Sequence, residues 1–316
     1  MTILRWSVAV IGIVAAAVAI VGLPLDDPLG PATAGPSELE EVTVGDWAPE
    51  DWNVFQSTVR WGQVARIDTL SFGDAVAAVG RRFVGTAYVP GTLEVEGPER
   101  VVVNFQGLDC VTFVENALAL TRFVREDGPT LLADRRTAEA RYETLLAEYR
   151  YRSGVLDGYP SRLHYFSEWL SDNARRGLLV NVGPGLGAIP DPGPIDFMST
   201  HADAYRQLAD TTFLRMTRQT EARLAQVERL YVPESRIAEV ADGIRNGDVI
   251  ATTSTVPGLD VAHTGLALWI DGALHLLHAP LVGEAVEISE VPLAERILRI
   301  ESQDGIMVAR PQERNR

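Results

Sequence analysis

One thiol and five imidazoles are the groups in this 316-residue chain best suited to covalent catalysis near neutral pH. The thiol is Cys110, the sole cysteine. The imidazoles belong to His164, His201, His263, His275 and His278. Cys110 sits in Gly107-Leu108-Asp109-Cys110-Val111-Thr112-Phe113-Val114-Glu115-Asn116. Asp109 is a good N-cap residue, and Val111 to Val124, apolar on most faces, reads as a buried helix. Cys110 therefore falls in the first helical turn. There the helix dipole and free N–H groups favour a thiolate, and the same N–H groups can hold an oxyanion. A lone cysteine is more often a small buried hydrophobe, so a nucleophile needs a base elsewhere in the chain.

His263 and His278 supply a candidate. They lie on the runs Val261–Ile270 and Ala273–His278, joined by Asp271-Gly272, a strong two-residue hairpin signal. Pairing Ile270 with Ala273 sets His263 opposite Pro280, so His278 is its diagonal neighbour on the same face. One ring can then orient the other, as a thiolate–imidazole catalyst requires. His275, three residues from His278, points to the opposite face. That parity argues against zinc, which needs three or four convergent ligands. No metal is expected. His263 could also be a satisfied sheet histidine, although Thr264 and Gly265 beside it leave room for a ligand.

The elements that position these residues follow a simple order. Residues 1–34 hold Arg5, an uncharged run from Ser7 to Leu23, and Ala32-Thr33-Ala34. They read as an export signal or as an uncleaved anchor that tethers the chain through residues 7–23. In either case the remainder is expected outside the cytoplasmic membrane. Residues 35–50 read as linker, and residues 51–316 as one catalytic domain with helical insertions. Helical periodicity runs from Asp51 to Ile67, and Ser71 caps a helix through Phe83. Val101–Phe105 reads as a strand. Leu131–Tyr149 reads as an amphipathic helix with a solvated charged face. A helix ends at Arg176, Gly183–Pro194 is loop, and short helices fall near Ser199–Ala209 and Thr220–Leu230. Strands at Asp248–Thr253, 261–270, 273–278, Ala285–Ile288 and Ile306–Ala309 complete the chain, with a helix at Leu293–Leu298. Helices first and an antiparallel sheet last predict an α+β fold.

Hydrophobic residues make up 46% of the chain, ample for a core. The net charge of −15 argues against nucleic acid and against an anionic membrane surface as partners.

Gly85-Thr86-Ala87-Tyr88, Leu108-Asp109-Cys110, His263-Thr264-Gly265 and His278-Ala279 occur in the order of the NlpC/P60 cysteine peptidases, papain-like cell-wall hydrolases that this chain resembles. Thr92-Leu93-Glu94, Val103-Asn104, the Leu108–Asn116 run, Ser161-Arg162-Leu163-His164-Tyr165-Phe166 and the Gly258–Gly265 run resemble the DUF1460 branch. That branch is described as N-acetylmuramoyl-L-alanine amidase-like. The resemblance spans roughly Ser71 to Arg310. It implies a papain-like fold with the nucleophile at a buried helix N-terminus, packed on the C-terminal sheet. It makes Cys110 the nucleophile, His263 the base and acid, and His278 the group that orients His263. Tyr88 would stand near the oxyanion. Asp109, Glu94, Asn104 and Thr264 are further oxyanion- or substrate-binding candidates. Val111 replaces a serine common in the superfamily, which fits the branch, and Ala87 replaces a common proline.

The implied reaction is hydrolysis of the N-acetylmuramoyl-L-alanine amide of peptidoglycan fragments in the cell envelope, without a cofactor. The segments beyond a minimal core, including Tyr151–Trp169 and Gly183–Pro194, are expected to wall the cleft. His164 and Tyr165 would then line its sugar side; the alternative is a packed insertion with no such role. Two other functions stay open. One is the γ-D-glutamyl-diamino-acid endopeptidase reaction, which uses the same residues. The other is a non-catalytic wall-binding module, against which the intact Cys110, His263 and His278 argue.

Overall fold

The computed structural model describes residues 47–281 and 284–313. The export signal or anchor, and most of the expected linker, lie outside the described residues. The last linker residues need correction. Trp47 is buried, its ring edge-on to Phe55 and Tyr142 and its Nε1 donating to Glu143 Oε1 at 2.8 Å. Helix α1 (Pro49–Val64) begins at the proline itself. A proline at the first helical position forfeits an N–H that would be unpaired anyway.

Four more helices build the N-terminal half: α2 (Phe72–Arg81), α3 (Cys110–Glu126), α4 (Arg135–Arg150) and α5 (Phe166–Arg175). Ser71 caps α2, its hydroxyl accepting from Asp74 N at 3.1 Å. Between α2 and α3, β1 (Ala87–Tyr88) and β2 (Gly107–Leu108) make a small parallel pair. The expected strand at Val101–Phe105 does not form. Side chains satisfy its backbone instead: Arg150 Nη1 donates to Val102 O, the Tyr151 hydroxyl to Arg100 O, and Phe105 N donates to the Asp51 carboxylate.

The second half alternates short helices with strands. These are β3 (Leu179–Asn181), β4 (Ile189–Pro190), α6 (Phe197–Thr200), α7 (Thr211–Leu224), β5 (Leu230–Pro233), α8 (Ile237–Val240), β6 (Val249–Ser254), β7 (Val261–Ile270), β8 (Ala273–His278), β9 (Glu287–Ile288), α9 (Leu293–Leu298) and β10 (Gln303–Pro311). The strands form one antiparallel sheet in the order β4-β5-β10-β6-β7-β8-β9, with β3 also paired to β10. The fold is therefore α+β. Two expectations shift here. The Gly183–Pro194 segment contributes β4, and the helix expected at Thr220–Leu230 is α7, which starts at Thr211 because Asp210 caps it by accepting from Thr212 N.

Strand alternation divides the sheet between two cores. Val249, Ala251, Leu266, Leu268 and Leu277 face the cluster of α1–α4, while Ile250, Ala267, Leu276, Ile306 and Val308 face a second cluster with Leu293 and Ile297 of α9. Residues 159–224 carry a third cluster around Tyr165, Phe197, Met198 and Leu224. The β7–β8 turn uses positive φ at both Asp271 (49°) and Gly272 (81°), as a type I′ turn demands. No helix among the described residues is long and apolar enough to cross a membrane.

Candidate active site

Cys110 is the first residue of α3 and is 2% exposed. Asp109 fixes the helix start. Its Oδ1 accepts from Val111 N (3.1 Å), Thr112 N (2.8 Å) and the Thr112 hydroxyl (2.8 Å), while Asp109 N donates back to Thr112 Oγ1. Such a capping box rigidifies the first turn. The backbone N–H groups of Thr264, Cys110 and Val111 lie near the sulfur and favour its charged form. Burial is the larger influence, joined by the Asp109 charge, and together they push the thiol well above its ordinary value. Burial thus opposes the effect expected from helix-terminus position.

Thr264, whose backbone lies near the sulfur, belongs to β7, one residue beyond His263. The ladder pairs Gly265 with His278 and Ile270 with Ala273. His263 Nε2 and His278 Nδ1 stand 2.7 Å apart, with the rings nearly perpendicular. A Cβ at Gly265 would lie 2.9 Å from His278 Cβ and 2.7 Å from Leu277 O, so this position excludes any side chain. Both rings are buried. Burial, then His278, then Arg296 drive His263 well below its ordinary value. Burial, then Arg296, lower His278 to about 3. The pair is neutral at rest, one ring donating its N–H to the other.

Tyr88 lies within the same electrostatic neighbourhood. Burial raises its hydroxyl pKa most, followed by the charges of Cys110 and Asp109. Thr264 contributes its backbone; its hydroxyl donates to Ile250 O at 3.0 Å inside the sheet. Asn104 closes a turn, its Oδ1 accepting from Gln106 N and Gly107 N. Glu94 accepts from Arg162 Nη1 at 2.5 Å. His164 and Tyr165 sit in the packed insertion. His164 Nε2 bonds with Tyr159 O at 3.1 Å, and Tyr165 donates to Glu221 Oε1 at 2.7 Å while accepting from Met198 N. The structure thus gathers Cys110, Tyr88, Asp109, Thr264, His263 and His278. It gives Asn104, His164 and Tyr165 bonds that hold the chain itself.

The family model for N-acetylmuramoyl-L-alanine amidase-like (AmiA-like) proteins matches residues 78–306. The chain belongs to this family. A crystal structure of an N-acetylmuramoyl-L-alanine amidase from Bacteroides uniformis is 34% identical, covering 77% of this chain and 99% of its own, with a TM-score of 0.70. A Bacteroides fragilis protein described provisionally as a xylanase is 35% identical over 74% of this chain and 99% of its own, with a TM-score of 0.66. A Legionella pneumophila protein of the DUF1460 family model is 21% identical over 83% of this chain and 95% of its own, with a TM-score of 0.59, and shares the fold. No curated protein sequence matches. At family level the chain is a cell-wall amidase.

The amidase-like site rests on charged residues that periodicity does not single out. Glu115, on α3, accepts from Arg150 Nε at 2.7 Å and from Trp169 Nε1 at 3.2 Å, all three buried. These bonds tie the Cys110 helix to α4 and α5. The expectation of a solvated charged face on α4 holds only in part: Arg135 and Arg136 are exposed, but Glu139 and Arg150 are buried and paired. Arg296 of α9 and Glu287 of β9 both bear on the His263–His278 pair, and neither lies in a recognisable motif. The signal that could have found Glu287 is its place directly across the ladder from His278.

Proposed function

We propose that this protein is a cysteine-dependent N-acetylmuramoyl-L-alanine amidase with a papain-like NlpC/P60 core, acting on peptidoglycan fragments outside the cytoplasmic membrane. The observation that carries this reading is the sulfur at the N-terminus of buried α3, near the backbone of Thr264, whose neighbour His263 has its ring held by His278 at 2.7 Å.

Because thiol and imidazoles rest neutral, proton transfer belongs to the reaction itself. His263 takes the Cys110 proton as the sulfur attacks the lactyl carbonyl carbon of the muramoyl group. The carbonyl electrons pass to oxygen, where the Cys110 N–H and the Tyr88 hydroxyl receive them. Collapse breaks the C–N bond, and the L-alanine nitrogen leaves with the proton held by the imidazolium. A water that gives its proton to His263 then hydrolyses the thioester, restoring thiol and imidazole. No cofactor enters. The xylanase description of one neighbour fits less well, since glycoside hydrolysis uses two opposed carboxylates. Here Asp109 is engaged in the helix cap.

The test is mass spectrometry of products from defined N-acetylmuramoyl-peptides, with the chain from residue 35 onward beside Cys110→Ala. The expected product is an intact peptide beginning at L-alanine, formed only with the cysteine. Release of L-alanyl-γ-D-glutamate fragments would assign the endopeptidase reaction instead. Binding without cleavage of either bond would make the protein a wall-binding module.

A further inference from the structure

We propose that Glu287 is a positioning residue, which holds His278 in the tautomer that lets His263 act as base. The inference rests on the thiol–imidazole reading above and extends it by one strand. Three observations carry it. First, the β8–β9 ladder places Glu287 directly opposite His278, on the same face of the sheet. Second, His278 Nε2 is buried and has no hydrogen-bond partner among the described residues. A buried ring nitrogen without a partner is uncommon and costly. Third, Glu287 Oε1 lies 3.8 Å from that nitrogen, within ion-pair reach and one water or one small rotation from a bond.

The proton logic follows from the distances. For His263 to accept a thiol proton at Nδ1, its Nε2 must carry hydrogen and donate to His278 Nδ1. His278 must then be protonated at Nε2, the nitrogen that Glu287 faces. A carboxylate there favours this tautomer over the reverse one. His263, His278 and Glu287 thus form a line across β7, β8 and β9. Two further groups complete the surroundings, Arg296 and Glu290. Arg296, from α9, lowers both imidazole pKa values and also lowers that of Glu287. Burial is the larger influence on Glu287 and, with Glu290, leaves its pKa raised despite Arg296. Arg296 and Glu287 therefore oppose each other at the imidazoles: the guanidinium disfavours an imidazolium and the carboxylate favours it.

That opposition is testable without any wall substrate. The rate of Cys110 alkylation by iodoacetamide is measured against pH in the full chain, in Glu287→Gln, Glu287→Asp and Arg296→Gln. Loss of the carboxylate should move the acid limb to lower pH, and loss of the guanidinium should move it to higher pH. Each shift is expected at about half a pH unit, the scale of one partly exposed charge near a buried group. Glu287→Asp should stay within about 0.2 units of the parent, as a shorter carboxylate on the same strand. Nitrogen-15 NMR of the imidazoles in Cys110→Ala should show His278 protonated at Nε2, with the reverse tautomer appearing in Glu287→Gln. A fold defect would move unfolding temperature but would not produce limbs shifted in opposite directions. Identical limbs in all variants, or His278 protonated at Nδ1 in the parent, would overturn the proposal. If the limbs shift as expected but muropeptides remain intact, the positioning role stands and the amidase assignment falls. If muropeptides are cleaved while no limb moves, only the positioning role falls.

Discussion

The β7–β8 hairpin and the insertion at residues 151–230 hold their polar side chains by different means. In the hairpin, His263 and His278 are set by strand register and by the missing side chain at Gly265. Both rings are neutral. In the insertion, position comes from paired charges: Glu168 with Arg152 and Arg223, Asp172 with Arg175 and Arg176, and Arg162 between Glu94 and Glu99. Charges locked in pairs cannot change protonation cheaply, because each partner stabilises the ionised form of the other. A neutral imidazole pair can pass a proton along its hydrogen bond, because each ring has one nitrogen that donates and one that accepts. The molecule thus keeps fixed charge in its supports and movable protons at the site.

Four substitutions would break or sharpen that contrast, beginning with the largest effect. Arg150→Met leaves Glu115 buried beneath the Cys110 helix without its cation. The loss should be about 3–5 kcal/mol in urea unfolding, while Arg150→Met combined with Glu115→Met should recover most of it. If the single variant costs nothing, these pairs are not the supports described above. His278→Gln should leave stability largely intact and lower kcat/KM about 100-fold, or ~2.7 kcal/mol, because His263 loses its orientation. Tyr88→Phe should lower kcat about tenfold, or ~1.4 kcal/mol, at unchanged KM, since one oxyanion donor is removed and another remains.

A further contrast concerns pH. Burial, then Arg162, lower the His164 pKa from 6.5 to about 3 in the folded chain. Between those values the unfolded chain binds a proton that the folded chain does not. Stability due to His164 is therefore complete above about pH 6.5 and declines as pH falls toward 3, by up to ~1.4 kcal/mol per pH unit. His263 and His278 act in the same direction, while the raised carboxyls of Asp109, Glu115 and Asp260 act in the other. The difference between parent and His164→Gln isolates one group. The variant should lose less stability between pH 6.5 and 5, and parallel curves would refute the neutral state assigned to His164.

What was legible in the sequence follows the same division. The bounds of β7, β8 and α9 coincide with those expected from period-2 and helical patterns. The diagonal relation of His263 to His278 follows from the length of one turn. Asp109 as the cap of α3 is equally local. The insertion was not legible, because its order comes from pairs such as Arg162–Glu99 that are 63 residues apart and leave no periodic trace. Val101–Phe105 misled for a related reason: its β-branched run has strand composition, but Arg150, Tyr151 and Asp51 supply bonds that a neighbouring strand would otherwise supply. The burial that pushes the Cys110 thiol up also lay beyond reach, since it depends on how deeply a helix end is packed.

The sheet also ends in a particular way. At one margin stands β4, two residues long, with Pro190 offering no N–H. Beside β9, at the other, Gly85 N donates to Val286 O, Val286 N to Thr86 O, and Tyr88 N to Glu284 O. The chain thus covers part of one margin with its own backbone and leaves little of the other for a stranger. Neither offers the long, bare template on which proteins stack into fibrils. At high concentration, colloidal stability should accordingly survive changes at the active centre so long as Pro190 and the segment from Gly85 to Tyr88 stay in place.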